Sequence, residues 1–266
     1  MIGSICLSDD LQRILLDLRQ VVRTRNRFDP NSPKPFALSR SRFDAFLNCP
    51  RCFYIDRRLG VEPPGGPPFS INSAVDGLLK KEFDEYRALA QPHPYMIEAG
   101  LNAIPYAHNR LDEWRENFKG VRYIHEASGF ELTGAVDDLW IDQSTQEIIV
   151  VDYKATAKDG EVSLDADWQI GYKRQMEFYQ WLLRRNGFSV SRTGYFVYCN
   201  GDKTEKGFGG VIKFKVKLIP YQGDDSWIEE QLMQARECLS ADIPPGAAES
   251  CLQCKYLTDI QTLKLL

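Results

Sequence analysis

The stretch Gly134-Ala-Val-Asp137-Asp138-Leu-Trp-Ile-Asp-Gln-Ser144-Thr145-Gln-Glu-Ile-Ile-Val-Val-Asp152-Tyr153-Lys154 decides how this chain is read. Two apolar runs flank a polar turn at Ser144-Thr145, the pattern of an antiparallel hairpin. Facing residues in such a hairpin number to a constant. A turn centred between 144 and 145 therefore sets Asp137 opposite Asp152, with Cβ atoms about 4.5–5.5 Å apart. Lys154 lies two residues beyond Asp152, on the same face. Two facing carboxylates on buried strands repel each other and lose hydration, which is costly unless positive charge stands between them. A divalent metal ion meets that need, and the nearby lysine suits a reaction that builds negative charge. Asp138 is the rival of Asp137. It points to the other face, and a slip of one residue would exchange the two.

The surrounding chain is of ordinary globular composition, 266 residues with 43% hydrophobic side chains, enough for one large domain or a domain with appendages. No apolar run reaches the ~18–20 residues that span a membrane. The N-terminus lacks the order of a signal peptide, so a cytoplasmic, soluble protein is expected. The net charge of −4 argues against nucleic-acid binding by the whole surface. Charge is uneven, however. Between Leu11 and Arg58 eleven basic residues meet four acidic ones. Such a segment suits either a track for a phosphate backbone or a set of solvated helix faces.

Working outward, Ser8 to Phe28 has the apolar spacing of an amphipathic helix, followed by a linker to Pro35. Ser39 can cap a short helix carrying Phe43, Phe46 and Leu47. Glu62 to Pro68 is a proline–glycine loop. Helices are expected over Asn72–Leu89, Asn109–Phe118, Asp167–Asn186 and Asp224–Leu239. Strands are expected over Val121–Ala127, Phe130–Asp142, Glu147–Thr156, Arg192–Asn200 and Gly210–Ile219. Both faces of the central strands are apolar, so the sheet is covered on both sides. The order is helix, three-strand antiparallel meander, helix, strand: an α/β layered fold.

Seven cysteines without a secretion signal speak against a disulfide framework. Cys49, Cys52, Cys251 and Cys254 form two C-x-x-C pairs, which suit tetrahedral thiolate ligation of zinc or an iron–sulfur cluster. Their wide separation suits a clasp joining the two ends of a domain. Cys199, on an apolar strand, reads as a packing residue. His93, His108 and His125 are scattered and read as structural. Gln175 and Tyr179 are i,i+4 neighbours on one helix face, with Lys173 and Arg174 close by. Neither a P-loop nor a dinucleotide-binding glycine motif is present.

Taken together, these residues resemble the PD-(D/E)XK nuclease superfamily, in particular its RecB-like branch of CRISPR-associated adaptation exonucleases and recombination helicase-nuclease domains. Gly134-Ala-Val-Asp137 resembles the metal-aspartate strand of that family. Val151-Asp152-Tyr153-Lys154 resembles its (D/E)-x-K strand. Gln175-Met-Glu-Phe-Tyr179 resembles the Q-x-x-x-Y helix of the RecB-like branch. Cys49-Pro50 with the C-terminal pair resembles the cysteine clasp of its iron–sulfur members. The resemblance spans roughly residues 36–258. Two departures stand out. Asp76, in Asn72-Ser-Ala-Val-Asp76, occupies the place where the family has a histidine, and the cysteines fall two and two rather than one and three.

The resemblance implies a restriction-endonuclease-like core with added N-terminal helices and a cysteine clasp. Residues 1–35 would form an N-terminal helix and linker, and 36–266 the nuclease domain. It further implies a metal-dependent DNA nuclease, an exonuclease or end-processing enzyme. Asp76, Asp137, Asp152 and the Tyr153 carbonyl would hold Mg²⁺ or Mn²⁺. Asp137, Asp152, Lys154, Gln175 and Tyr179 would form the catalytic set, and the four cysteines would hold a 4Fe–4S cluster or, alternatively, zinc. The implied partners are DNA with single-stranded ends and helicase, repair or CRISPR-adaptation proteins, without a membrane. The Asp76 departure keeps open a catalytically inactive DNA-binding or assembly subunit on the same fold, and the charged hairpin residues keep open a purely structural salt-bridge cluster.

Overall fold

Apolar alternation on both sides of Ser144-Thr145 produces the expected hairpin in the expected register. Asp138 faces Val151, Leu139 faces Val150 and Trp140 faces Ile149. The turn closes because Asp142 Oδ1 accepts the amides of Ser144 (2.7 Å) and Thr145 (2.9 Å), an Asx-type arrangement. The computed structural model describes residues 22–66 and 70–263.

In chain order the elements are β1 (Phe36–Ser39), α1 (Arg40–Asn48) and α2 (Pro50–Tyr54), the last continuing as a π-helical turn over Ile55–Leu59. Next come α3 (Ser70–Leu89), α4 (Pro94–Glu98), β2 (Ala103–Pro105), α5 (Leu111–Arg115), β3 (Val121–His125) and β4 (Phe130–Gly134). The hairpin strands are β5 (Asp138–Asp142) and β6 (Ile148–Thr156). A 3₁₀ turn at Asp167–Gln169 leads into α6 (Ile170–Arg185), then β7 (Thr193–Gly201), β8 (Phe214–Gln222), α7 (Ile228–Ser240) and α8 (Leu252–Thr262). The described residues divide into two compact units. One holds 22–66, 125–130 and 230–263; the other holds 70–124 and 131–229.

The second unit is built on a five-stranded sheet ordered β2-β5-β6-β7-β8. β6 and β7 run parallel and the other pairs antiparallel. The helix α6 makes the crossover that a parallel pair requires. Side-chain alternation gives the sheet two apolar faces. On one, Trp140, Ile149, Val151 and Tyr153 pack with Leu79 and Phe83 of α3 and with Met96 of α4. The other is covered by α6, whose Glu177 is buried and accepts hydrogen bonds from Tyr221 Oη (2.5 Å) and Trp227 Nε1 (2.8 Å). These bonds fix α6 to β8 and to the segment after it.

One expected strand is broken. The run Phe130–Asp142 divides at residues 135–137, so that β4 and β5 lie in different sheets and no continuous meander forms. The cause is tertiary. The Val136 amide donates to Trp114 O (3.1 Å) instead of to a ladder. At Gly134 the ring of Tyr179 comes so near that a Cβ would stand 2.7 Å from its Cε1. A side chain there would push α6 away, so glycine is required.

Within the first unit, Phe43, Phe46 and Phe53 form an aromatic core, and Tyr54 Oη donates to Ala241 O (2.9 Å). The buried Asp56 gathers Arg23 (2.8 Å), Arg42 (3.1 Å) and Arg57 (2.8 Å). Three of the basic residues read as a potential phosphate track are thus spent on one carboxylate. The helix expected over Ser8–Phe28 lies mostly outside the described residues, and 22–28 are non-helical. Among the described residues, no helix is long and apolar enough to cross a membrane.

The second of the consecutive aspartates, Asp138, is fully buried on the α3 face. It receives Arg87, Arg115 Nη2 (2.7 Å), Tyr153 Oη (2.8 Å) and the Leu139 amide (2.8 Å). Removing one partner of such a group strands the others without compensation. Asp138→Ala is therefore expected to lower unfolding free energy by about 3 kcal/mol or more. Urea unfolding followed by circular dichroism measures this, and a loss under ~0.5 kcal/mol would contradict the assignment.

Candidate functional site

The face of the hairpin opposite Asp138 carries a second set of charges. Asp152 sits in the middle of β6, between β5 and β7, and is fully buried. Among the described residues, no donor other than a lysine reaches its carboxylate oxygens. Its charge is met by the ammonium of Lys154, two residues on along the same face. Asp137 lies one residue before β5, just beyond the last ladder pair Asp138–Val151, and is close enough to Asp152 for their charges to interact. Asp137 Oδ2 accepts the Tyr153 amide at 2.9 Å, which ties it to β6.

Burial lifts the Asp137 carboxyl to about 6, and the charge of Asp152 adds to the lift. The cations Lys154 and Lys80 and the Tyr153 amide oppose it. For Lys154, burial alone would favour loss of the proton. The carboxylates of Asp152 and Asp137 outweigh that and hold its ammonium above the ordinary lysine range.

The lysine is positioned from its other side by α6. Lys154 Nζ lies 3.4 Å from Gln175 Oε1, and Gln175 Nε2 donates to Tyr179 Oη at 3.2 Å. Tyr172, one turn earlier, presents its ring 4.5 Å from Nζ, a cation–π contact. The helical spacing of Gln175 and Tyr179 is thus a hydrogen-bonded relay ending on the strand lysine.

The helix α3 completes the group. Asn72 Nδ2 donates to Ala155 O (3.0 Å) and anchors the start of α3 beside the end of β6. One turn on, Asp76 is half-buried, and burial raises its pKa against the pull of Lys80. Lys80 is a member that sequence reasoning missed. Its Nζ lies 2.8 Å from Asp76 Oδ2 and 3.9 Å from Asp137 Oδ1, so it bridges the two. Its i,i+4 spacing from Asp76 was the available signal, but that spacing is common on solvated helix faces. A cleft of about 70 Å³ opens here, lined by Asn72, Asp76, Tyr153, Lys154, Ala155 and Tyr172 among others. A larger cleft of about 540 Å³ lies past the ends of β6 and β7. Its lysines 203, 215 and 217 are paired with Asp159, Asp202 and Glu161, and it holds no comparable chemistry.

The donor set suits a hard divalent cation: Asp137 and Asp152 supply carboxylate oxygens, and Lys154 is the one cation in contact with buried Asp152 among the described residues. Asp76 is engaged by Lys80, and the three carboxylates are not drawn together as tightly as the cysteines are. Cys49, Cys52, Cys251 and Cys254, all in the first unit, place their sulfurs within 4.8 Å of one another.

The remaining sequence candidates have structural roles. Cys199 is buried in the core. His93 stacks on Phe83 (4.2 Å) and pairs with Glu82 (3.0 Å). His108 stacks on Trp114, and His125 bonds Ser128 in the turn before β4 (2.8 Å).

Residues 37–258 match the family model of the PD-(D/E)XK nuclease superfamily. No curated protein matches the chain. A solved structure described as the crystal structure of SSO0001 is 14% identical, with 88% of this chain and 86% of that chain covered and a TM-score of 0.38.

The raised Asp137 carboxyl gives a test of the site's electrostatics. Below about pH 4 the group is neutral folded and unfolded. Above about 6 it is ionised in both, and the folded state carries the whole penalty. Stability from this group is therefore lost as pH rises from about 4 to 6. Asp137→Asn keeps an acceptor for the Tyr153 amide. In a chelator, the variant should exceed the parent by about 1–3 kcal/mol at pH 7.5 and equal it near pH 4. Equal stability at both pH values would refute this account.

Proposed function

The chain belongs to the PD-(D/E)XK nuclease superfamily, and on that premise we propose that it is a divalent-metal-dependent deoxyribonuclease, an exonuclease or end-processing enzyme of the RecB-like kind. The observation that carries the proposal is the buried Asp152–Lys154 pair, facing Asp137 and tied through Gln175 to Tyr179. Asp137 and Asp152, with the Tyr153 carbonyl and with Asp76 once it leaves Lys80, would hold Mg²⁺ or Mn²⁺. Such an ion, when bound, polarises a phosphate and acidifies a coordinated water.

The chain's own groups then have distinct tasks. Lys154, whose ammonium the carboxylates beside it favour, would act as a fixed positive charge toward the phosphate rather than as a base. Gln175 holds the ammonium in place, and Tyr179 holds Gln175. Tyr172 covers Lys154 and limits its access to water. Lys80 supplies a second ammonium on the α3 side of the site. The substrate on this reading is DNA with single-stranded ends, handed on or opened by helicase, repair or CRISPR-adaptation proteins.

One observation favours a second reading. The Lys80–Asp76 ion pair already satisfies the carboxylate at the place of the family histidine, as it would in a subunit that binds DNA without cutting it. End-labelled single- and double-stranded DNA, incubated with each divalent ion, separates the two. Cleavage should be abolished by a chelator and should fall at least ~100-fold in Asp152→Asn and in Lys154→Met, if these groups stabilise developing charge. Binding without cleavage in every ion would establish the second reading, and unchanged rates in both variants would sink the first.

A further inference from the structure

The cysteines are the other group of ligating side chains, and their spacing discriminates between two chemistries. Cys49 precedes α2 and Cys52 lies in its first turn, while Cys251 precedes α8 and Cys254 lies in its first turn. Each C-x-x-C therefore brings two sulfurs to one helix start, and the two starts meet sulfur to sulfur. Cys49 and Cys254 are 3.8 Å apart, Cys52 and Cys251 are 3.6 Å apart, and Cys52 and Cys254 are 3.4 Å apart. None is disulfide-bonded. Four thiolates at 2.3 Å from one ion occupy the corners of a tetrahedron whose edge is about 3.8 Å. A 4Fe–4S cluster places each cysteine on a different iron, and a 2Fe–2S cluster divides them between two irons, with bridging sulfides between the irons in both. Ligand sulfurs on different irons must spread well beyond that edge, whereas all four here lie within 4.8 Å of one another.

We propose that Cys49, Cys52, Cys251 and Cys254 hold one tetrahedral zinc ion, and not an iron–sulfur cluster. The proposal does not rest on the nuclease reading, because the quartet lies in a unit separate from the charged hairpin. It is a closed site with four protein ligands and no open position, which is the structural type of zinc site. Backbone amides of Ala248 and Cys52 approach the Cys49 sulfur, the kind of outer contact that steadies a metal thiolate. Cys238, the nearest further thiol, stands apart from the quartet. Its Sγ approaches Pro50 O (3.6 Å) and is not among the four clustered sulfurs. A cavity of about 290 Å³ reaches Cys52 and Cys254 and gives an ion a way in.

The test is the metal content of the full chain, produced with iron and with zinc in the medium and purified without oxygen. Expected are one zinc per chain, no acid-labile sulfide and a colourless protein. Replacement by Co²⁺ should give the intense visible bands of a tetrahedral thiolate site. Cys49→Ser and Cys254→Ser should each bind zinc at least tenfold more weakly, measured by competition with a chromophoric chelator. Cys238→Ser should keep the full equivalent. Where a quartet variant fails to fold, the composition of the parent still decides. A brown protein with several irons and matching sulfide overturns the proposal, and so does a parent chain that folds with no metal and takes up none.

Discussion

A buried carboxylate in a sheet, with a lysine ammonium as its one donor among the described residues, constrains what surrounds it. Asp152 occupies a strand position with neighbours on both sides, where an unpaired charge would cost several kcal/mol. Lys154 offsets that cost from the one place the pleat allows, two residues along on the same face. The lysine must itself be held. Gln175 and Tyr172 hold it, Tyr179 holds Gln175, and the ring of Tyr179 lies close enough to Gly134 to exclude any side chain there. The break between β4 and β5 follows Gly134 directly, and Asp137 lies in it. The charge on β6 is thus linked by contacts, through Lys154, Gln175 and Tyr179, to Gly134 at the edge of the strand break.

The consecutive aspartates show how the period of a strand separates chemistry from scaffolding. Asp137 faces a charged cleft and is held above the usual carboxylate range by burial and by Asp152. Asp138, one residue on, faces α3 and is surrounded by Arg87, Arg115 and the hydroxyl of Tyr153. Its partners satisfy it fully, as those of a structural charge should. Tyr153 serves both neighbours: its amide anchors Asp137, and its phenol, kept protonated by burial and by Asp138, anchors Asp138.

Much of this was legible in the chain, for identifiable reasons. The register followed from a polar turn and period-two alternation, which are local. Helical spacing put Gln175 and Tyr179 on one face, and only the resemblance to the Q-x-x-x-Y helix singled them out. The arginines on Asp138 come from residues 87 and 115, which no local pattern connects to it. The strand break was illegible because Ala135 and Val136 are as apolar as their neighbours; its causes, Trp114 O and Tyr179, are distant in sequence. Lys80 was hidden among the charges of an amphipathic helix. Composition left the role of the basic N-terminal segment open, and it could not show that Asp56 binds three of its arginines.

The two lysines at the site differ in what they can do. Lys154 is confined by a buried carboxylate, a glutamine and an aromatic face, so its position is fixed and its proton is held. A fixed charge in a weakly hydrated place is effective against developing negative charge, because no reorganisation is needed when the charge appears. Lys80 is half-buried and bridges Asp76 and Asp137 across distances of 2.8 and 3.9 Å, with its chain free to extend from a helix. With all three carboxylates ionised, the two ammoniums leave the group with one net negative charge. Burial first, and the charge of Asp152 after it, raise the Asp137 pKa. A site balanced in this way is stable enough to fold around, yet it keeps an electrostatic demand for a cation beside the oxygens that could bind one.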